Sequence, residues 1–282
     1  MNKKQSVWVI LPTYNEAENL RKMVLSIISL KLALKILVVD DNSPDGTGEI
    51  ADVLAAEQKD VYVLHRAGKQ GLGTAYAAGF RYALGSGADA ILTIDCDFSH
   101  DPRYIPKFID ALDGAAAVVV GSRYVAGGRI ENWNVYRTFL SATANRFVKT
   151  LFRMPVRDCT SGFRLYRKEA ADVFLESGLH SVGYSFQVEA LYRVLRRNLK
   201  VSEIPICFVD RREGKSKMGL SEVFFGVFQL LQMKIETFDF GFGNSDPGSN
   251  LILEKPEIQI EAGFKPNEKL AHPNRTKARS TV

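Results

Sequence analysis

The chain has 282 residues, 46% of them hydrophobic and 24% charged, with a net charge of +5 and a pI of about 9.0. That is the composition of a soluble globular protein with a substantial core, and the mild basic excess suits anionic partners without choosing nucleic acid, phospholipid or nucleotide. The three cysteines, Cys96, Cys159 and Cys207, are odd in number and far apart, and the four histidines are scattered. A disulfide framework and a His/Cys zinc site are therefore excluded, and a reducing compartment is expected.

In chain order, "MNKKQSVWVILPTYNE" begins like a secretion signal, but Pro12 cuts the apolar run and no small-residue cleavage site follows. No segment reaches the roughly 18–20 clean apolar residues that crossing a bilayer requires. The runs at 7–12, 35–40, 61–66, 90–95 and 117–122 read as strands, and their continuous hydrophobicity suits strands covered on both faces. Helical spacing fills 16–30, 47–58, 72–85 and 103–112, with Pro102 at a first helical turn. This alternation predicts an α/β fold with right-handed crossovers and a mostly parallel sheet flanked by helices. Beyond about residue 125 the pattern turns helical and basic, followed by a last strand in "SEIPICFVDRR". From 238 periodicity is lost and Gly, Pro and Asn recur, which predicts a folded domain over 1–237 and a flexible tail over 238–282.

Ligands of such sheets sit beyond the carboxyl ends of the strands. Those ends carry "PTYNE", "VVDDNSPDG", "DCDFSHD", "GSRY" and "DRREGKSK". Asp95 and Asp97 are two residues apart, so in extended backbone both leave on one face. Carboxylates that close raise one another's pKa unless a cation intervenes, and Mg2+ or Mn2+ would do so while leaving positions for phosphate oxygens. The alternative is a turn of helix-capping acids, since Asp97, Ser99 and Asp101 all precede a helix. The same two-residue stepping at Pro12, Tyr14 and Glu16, and at Val39 and Asp41, could line a cleft wall or could be turn chemistry. The basic residues Arg123, Arg211, Arg212, Lys215 and Lys217 suit phosphate oxygens or a solvated loop equally well. Two tempting motifs fail. "GKS" at 214–216 has Val209 where a phosphate-binding loop needs glycine, and "GKQGLGTAYAAG" lacks the third glycine of a dinucleotide fingerprint.

Taken together and in order, "LPTYNEAENL", "VVDDNSPDGT", "GLGTAYAAGF", "DCDFSHDP", "GSRYVAGG", "TSGFRLYRK", "GYSFQVE" and "FVDRREGKSKMG" resemble the dolichol-phosphate (polyprenol-phosphate) mannosyltransferases, inverting metal-dependent glycosyltransferases, over roughly residues 5 to 235. The resemblance implies a GT-A (Rossmann-like) fold and transfer of mannose from GDP-mannose to a polyprenyl or dolichyl phosphate. By position it implies that Pro12, Tyr14, Glu16, Val39 and Asp41 hold the guanosine and that Asp95, Cys96 and Asp97 lie along the nucleotide-sugar. Asp97 would be the principal ligand of Mg2+ or Mn2+, with Asp95 and Ser99 assisting, and Arg123, Arg211 and Lys217 would meet phosphates. Asp97, Arg211 and Lys217 are the implied catalytic set. Cys96 stands where alanine is usual, and a thiol there would make the site sensitive to oxidation. Lys215 stands where an acid is common.

The lipid acceptor implies a protein at the cytoplasmic face of a membrane, held peripherally, as an oligomer or by an anchoring partner. The stretch 219–238 is expected to form a helix with a narrow polar stripe that could lie on a bilayer or pack in a core or dimer. Arg137, Arg146, Lys149 and Arg153 could meet anionic headgroups. Rival readings are a related transferase moving glucose or another sugar from a UDP donor, and a non-catalytic nucleotide-sugar binder regulating a partner enzyme. No nucleic-acid motif is present.

Overall fold

The computed structural model describes residues 5–112, 114–176 and 185–210, all within one unit, Met1–Gly241. Arg211, Arg212, Lys215, Lys217, the helix expected over 219–238, the boundary at 237 and the tail lie outside the described residues.

The first half alternates as the sequence predicts: β1 (Val7–Thr13), α1 (Ala17–Ser29), β2 (Leu34–Asp40), α2 (Thr47–Glu57), β3 (Val61–His65), α3 (Leu72–Gly85), β4 (Ala90–Thr93), α4 (Ile105–Ala111) and β5 (Val118–Ser122). There follow β6 (Arg129–Glu131), α5 (Val135–Phe152), β7 (Arg164–Arg167), α6 (Lys168–Glu176), α7 (Ser185–Arg196), β8 (Val201–Pro205) and β9 (Cys207–Val209). Seven strands form the main sheet in the order β3-β2-β1-β4-β7-β5-β8, and β6 pairs with β9 alone. All pairs are parallel except those of β7, which runs antiparallel between β4 and β5.

Each strand feeds two cores because successive side chains leave on opposite faces. Trp8 and Ile10 pack with Leu37, Val39, Tyr76 and Phe80 on one side. Val7, Val9 and Leu11 pack with Leu20, Val24, Leu54 and Phe108 on the other. The α3 layer is drawn tight onto β1 by Gly79, where an added Cβ would lie 2.7 Å from Ile10 Cγ2. That contact holds α3 close to the sheet below the site.

Three expected elements differ. The strand expected over 90–95 stops at Thr93, whose hydroxyl donates to the Gly162 carbonyl at 2.7 Å. The helix expected over 103–112 divides into a 3₁₀ turn at Pro102–Tyr104 and α4. Here the Asp101 carboxylate takes the Arg103 N–H, and Pro106 has none to give. The last strand changes partners at Ile206: its N–H donates to the Ser122 carbonyl (3.1 Å), and its carbonyl accepts from the Arg129 N–H (3.0 Å). So β8 stays beside β5 while β9 leaves to pair with β6.

Candidate active site

The turns after β1 and β2 are tied together by short polar side chains. The Asn15 N–H donates to Ser43 Oγ (3.1 Å), the Glu16 N–H to Thr47 Oγ1 (2.9 Å) and the Ala17 N–H to Asp45 Oδ2 (3.1 Å). Asp40 accepts from the Thr13 hydroxyl and from both the N–H and the hydroxyl of Ser43. Asn15 and Asn42 take left-handed φ values of 60° and 56°, which asparagine tolerates. Turn chemistry is thus the use of Asn15, Asp40, Ser43 and Asp45.

Asp41 has a different partner. Arg66, immediately after β3, donates from Nη1 to Asp41 Oδ1 at 2.7 Å in a pair less than a tenth exposed on either side. Arg66 Nη2 also donates to Thr74 Oγ1 (2.7 Å) and Gln70 Oε1 (3.1 Å). Burial raises the Asp41 carboxyl above its ordinary value; Arg66 offsets part of this and Asp40 adds to it. Next to this pair, Lys69 Nζ lies 4.6 Å from the centre of the Tyr14 ring. Pro12, half-buried, closes β1 in register with Val39.

The two acids after β4 sit in a turn, not in extended backbone: Phe98 has a φ of 58°, and the Ser99 N–H donates to Asp97 Oδ1 at 2.9 Å. They still face common ground. The Tyr76 hydroxyl donates to Asp95 Oδ1 (3.2 Å), and His100 Nδ1 lies 3.6 Å from Asp95 Oδ2. Burial, then Asp95 and more weakly Asp97, push the Tyr76 phenol well above its ordinary value, so it remains a neutral donor. Glu16, Asp97 and Asp95 all act electrostatically on the Cys96 thiol. Ser99 is buried, with its carbonyl accepting from the Val209 N–H at 3.1 Å. The His100 ring lies between Phe163 (5.3 Å) and Phe208 (5.2 Å).

Three of the expected site residues are drawn into the protein itself. Val39 is wholly buried beneath α3, where its Cγ2 faces Gly79, and Cys96 belongs to the opposite core. Neither side chain can line a cleft, so each has only backbone to offer a ligand. Burial also pushes the Cys96 thiol well above its ordinary value. The thiolate is the reactive form, and the side chain is buried as well; neither the raised value nor the burial favours its oxidation. Third, Arg123 is paired with an acid. Its Nε and Nη2 grip Asp158 at 2.8 Å each, and Nη2 also donates to Thr160 Oγ1. Asp158 is fully buried and takes the Arg123 and Ser161 N–H groups as well. Burial works to raise its carboxyl, but Arg123 outweighs that and holds it below the ordinary value.

The rim beyond β9 carries Asp210, which accepts from Arg137 Nη1 at 2.8 Å, while the Arg137 guanidinium lies 4.3 Å over Trp133. Sequence reasoning passed over Arg66, Lys69, Tyr76, His100 and Asp158. Arg66 and Lys69 end the third strand as the acids end the others, and His100 lies inside "DCDFSHDP"; those signals were there to be read.

Among the described residues no three His, Cys, Asp or Glu side chains form a cluster able to enclose a metal ion. Mg2+ and Mn2+ seldom need one, since a single carboxylate or a pair suffices when substrate phosphates and water complete the shell. Asp95 and Asp97, hard oxygen donors on one turn with Ser99, fit such a shared site.

Residues 8–175 match Glycosyl transferase family 2. The chain is 41% identical to a polyprenol monophosphomannose synthase of Mycolicibacterium smegmatis over 82% of its own length and 88% of that protein's. It is also 41% identical to an undecaprenyl-phosphate mannosyltransferase of Micrococcus luteus, over 76% of its length and 87% of that protein's. Two solved structures share the fold. One is glucosyl-3-phosphoglycerate synthase of Mycobacterium tuberculosis with Mn2+, UDP and glucosyl-3-phosphoglycerate (TM-score 0.57, 19% identity, 88% of this chain and 83% of that one). The other is a mannosyltransferase of Pyrobaculum calidifontis with GDP-Man and Mn2+ (TM-score 0.56, 16% identity, 87% and 67%). The parallel sheet with acids at its carboxyl rim is therefore a GT-A fold, and the chain belongs to glycosyl transferase family 2.

Proposed function

We propose that this chain transfers mannose from GDP-mannose to a polyprenyl phosphate, with inversion at the anomeric carbon. The observation that carries the reading is the 41% identity to a polyprenol monophosphomannose synthase over 82% of the chain. Pro12, Tyr14, Glu16 and Asp41 form the nucleoside wall, with Val39 and Cys96 contributing backbone. Asp95 and Asp97 face the diphosphate-sugar, and the Tyr76 hydroxyl fixes the orientation of Asp95.

A Mg2+ or Mn2+ held by Asp97 with Asp95 and Ser99 supplies, when bound, Lewis-acid stabilisation of the diphosphate. Arg211 and Lys217, outside the described residues, bring the donor diphosphate and acceptor phosphate together against their like charge. Arg123 keeps the loop after β5 in place through Asp158.

The acceptor is a phosphate monoester with a second pKa of about 6, so it is largely dianionic at neutral pH and attacks without a protein base. The bond from the anomeric carbon to the β-phosphate oxygen breaks, and its electron pair leaves with GDP. A bond from the same carbon to an acceptor phosphate oxygen forms on the opposite face, through an oxocarbenium-like state. A lipid-borne acceptor places the protein peripherally at the cytoplasmic face of a membrane.

The test offers purified protein GDP-mannose, UDP-glucose and UDP-GlcNAc in turn, with polyprenyl phosphate and with or without Mn2+. Mannosyl lipid made from GDP-mannose alone, and only with metal, is the expected product. Transfer from a UDP-sugar at equal or greater rate would overturn the donor, and GDP-mannose binding without any transfer would leave a nucleotide-sugar binder.

A further inference from the structure

Asp95 Oδ1 takes the Tyr76 hydroxyl, and Oδ2 faces the ring of His100. We propose that His100 is a positioning residue, holding the Asp95 carboxylate in the orientation that serves a divalent cation beside the diphosphate. The inference rests on the reading of Asp95 and Asp97 as the acids that share that cation.

His100 occupies the place of a core residue. It is 3% exposed, with the Phe163 ring 5.3 Å away and the Phe208 ring 5.2 Å away, the latter edge-on. Its backbone also forms an isolated antiparallel bridge with Phe208. Both neighbours are themselves fixed. Phe163 is wholly buried against Phe108 (4.3 Å), and Phe208 carries the Trp133 ring at 5.4 Å and the Arg123 guanidinium at 5.5 Å. A phenylalanine would fill this space with an aromatic ring and bury no polar nitrogen, which costs free energy unless the nitrogen is used. Packing alone therefore does not call for histidine here.

The use is supplied by Asp95. Nδ1 of His100 lies 3.6 Å from Asp95 Oδ2. That is roughly half an ångström longer than a hydrogen bond, and contacts at active sites are often loose before ligands arrive. With its proton on Nδ1, a neutral His100 donates toward Oδ2 while the Tyr76 hydroxyl donates to Oδ1 at 3.2 Å. Each carboxylate oxygen can accept at two lone pairs. A donor on each oxygen therefore fixes the plane of the group and leaves lone pairs for a cation. The Asp95 side chain is 31% exposed against 3% for His100, so the carboxylate is open to a ligand and the histidine is sealed behind it. His100 acts through Asp95.

The test titrates Mn2+ into the full chain with GDP present and reads free Mn2+ by paramagnetic resonance, so no transfer is needed. Two substitutions separate the ring from its nitrogen. His100→Phe keeps the ring and loses Nδ1; His100→Asn places an amide N–H near the position of Nδ1 and loses the ring. Groups that orient a metal ligand typically change metal affinity about ten- to a hundredfold, so His100→Phe should weaken Mn2+ binding about tenfold or more with its thermal transition kept. His100→Asn should recover most of that loss even where it unfolds at a lower temperature. In an Asp95→Ala background, which leaves Asp97 in place, His100→Phe should cost nothing further, the mark of two residues acting as one unit. The reverse ranking, with His100→Phe binding like wild type and His100→Asn failing, would make His100 a filler of the core and overturn the inference. So would an equal loss from His100→Phe with and without Asp95, a comparison that stands even if His100→Asn does not fold. If wild type itself takes up no Mn2+ beside GDP, the shared-cation reading falls and this role falls with it; in the other outcomes that reading stands.

Discussion

The two halves of the sheet rim treat charge in opposite ways. After β1, β2 and β4, hydroxyls and backbone N–H groups satisfy Asp40 and Asp45, the Tyr76 hydroxyl donates to Asp95 and the Ser99 N–H to Asp97. After β5 and at the start of β7 the charged groups are tied up inside the protein. Arg123 closes on Asp158, and the fully buried Arg164 is held by the carbonyls of Gln187 and Cys159. One side holds most of its acids with hydroxyls and N–H groups. The other uses ion pairing to shape loops. A residue's charge at a strand end is therefore no guide to its job until its partner is known.

The sharpest way to break this contrast is on the β5 and β7 side. Asp158→Asn strands the Arg123 guanidinium in a buried site, and removing one partner of such a pair costs about 3–5 kcal/mol. The Asp158 carboxyl is held below its ordinary value, so its stabilisation is complete above the unfolded carboxylate pKa of about 3.9 and fades as pH falls through the folded value. Urea unfolding should show a wide gap between wild type and variant at neutral pH that narrows in acid. A pH-independent gap would mean that lost packing, and not the ion pair, is responsible.

On the other side, Asp97→Ala should cost the fold about 1–3 kcal/mol through the stranded Ser99 N–H and cut turnover about a hundred- to a thousandfold, the usual effect of losing one pre-organised group at developing charge. Asp95→Asn should do less, because an amide can still accept from the Tyr76 hydroxyl. Wild-type-like transfer by Asp97→Ala would erase the distinction between the two rims.

How much of this could be read beforehand follows from range. The turns after β1, β2 and β4 are local, with partners a few residues apart or on neighbouring strands, and the stepping of Pro12, Tyr14, Glu16, Asp95 and Asp97 pointed at them. The Arg123 ion pair was not legible because its partner lies 35 residues away, and nothing local signals Asp158. The burial of the Val39 and Cys96 side chains was not legible because strands covered on both faces are apolar throughout, so alternation alone does not say which face looks toward a ligand. The antiparallel β7 has only four residues, too few for a period to show. Arg66 escaped because the third strand ends without an acid, although a base can hold a neighbour's acid in place.

That last residue opens the smallest and most discriminating comparison, within the nucleoside wall itself. Arg66 and Lys69 leave the same turn, yet one is sealed against Asp41 and the other lies over the Tyr14 ring. Lys69 also acts to lower the Asp41 carboxyl, so it couples the ring to the acid. A cation–π contact at an exposed site contributes about 0.5–1 kcal/mol, which at room temperature is a two- to fivefold change in affinity. Lys69→Met keeps the aliphatic stem and removes the charge; it should raise the KM for the sugar donor by that factor and leave kcat unchanged. Arg66→Met removes the stronger of the two cations, so the Asp41 carboxyl, already raised by burial, should rise further. Donor affinity in that variant should fall as the solution is made mildly acidic, over a range where wild type and Lys69→Met stay level. If both variants share one flat pH profile, Asp41 does not contact the donor as a carboxylate, and the nucleoside wall must be drawn from Tyr14 and Glu16 instead.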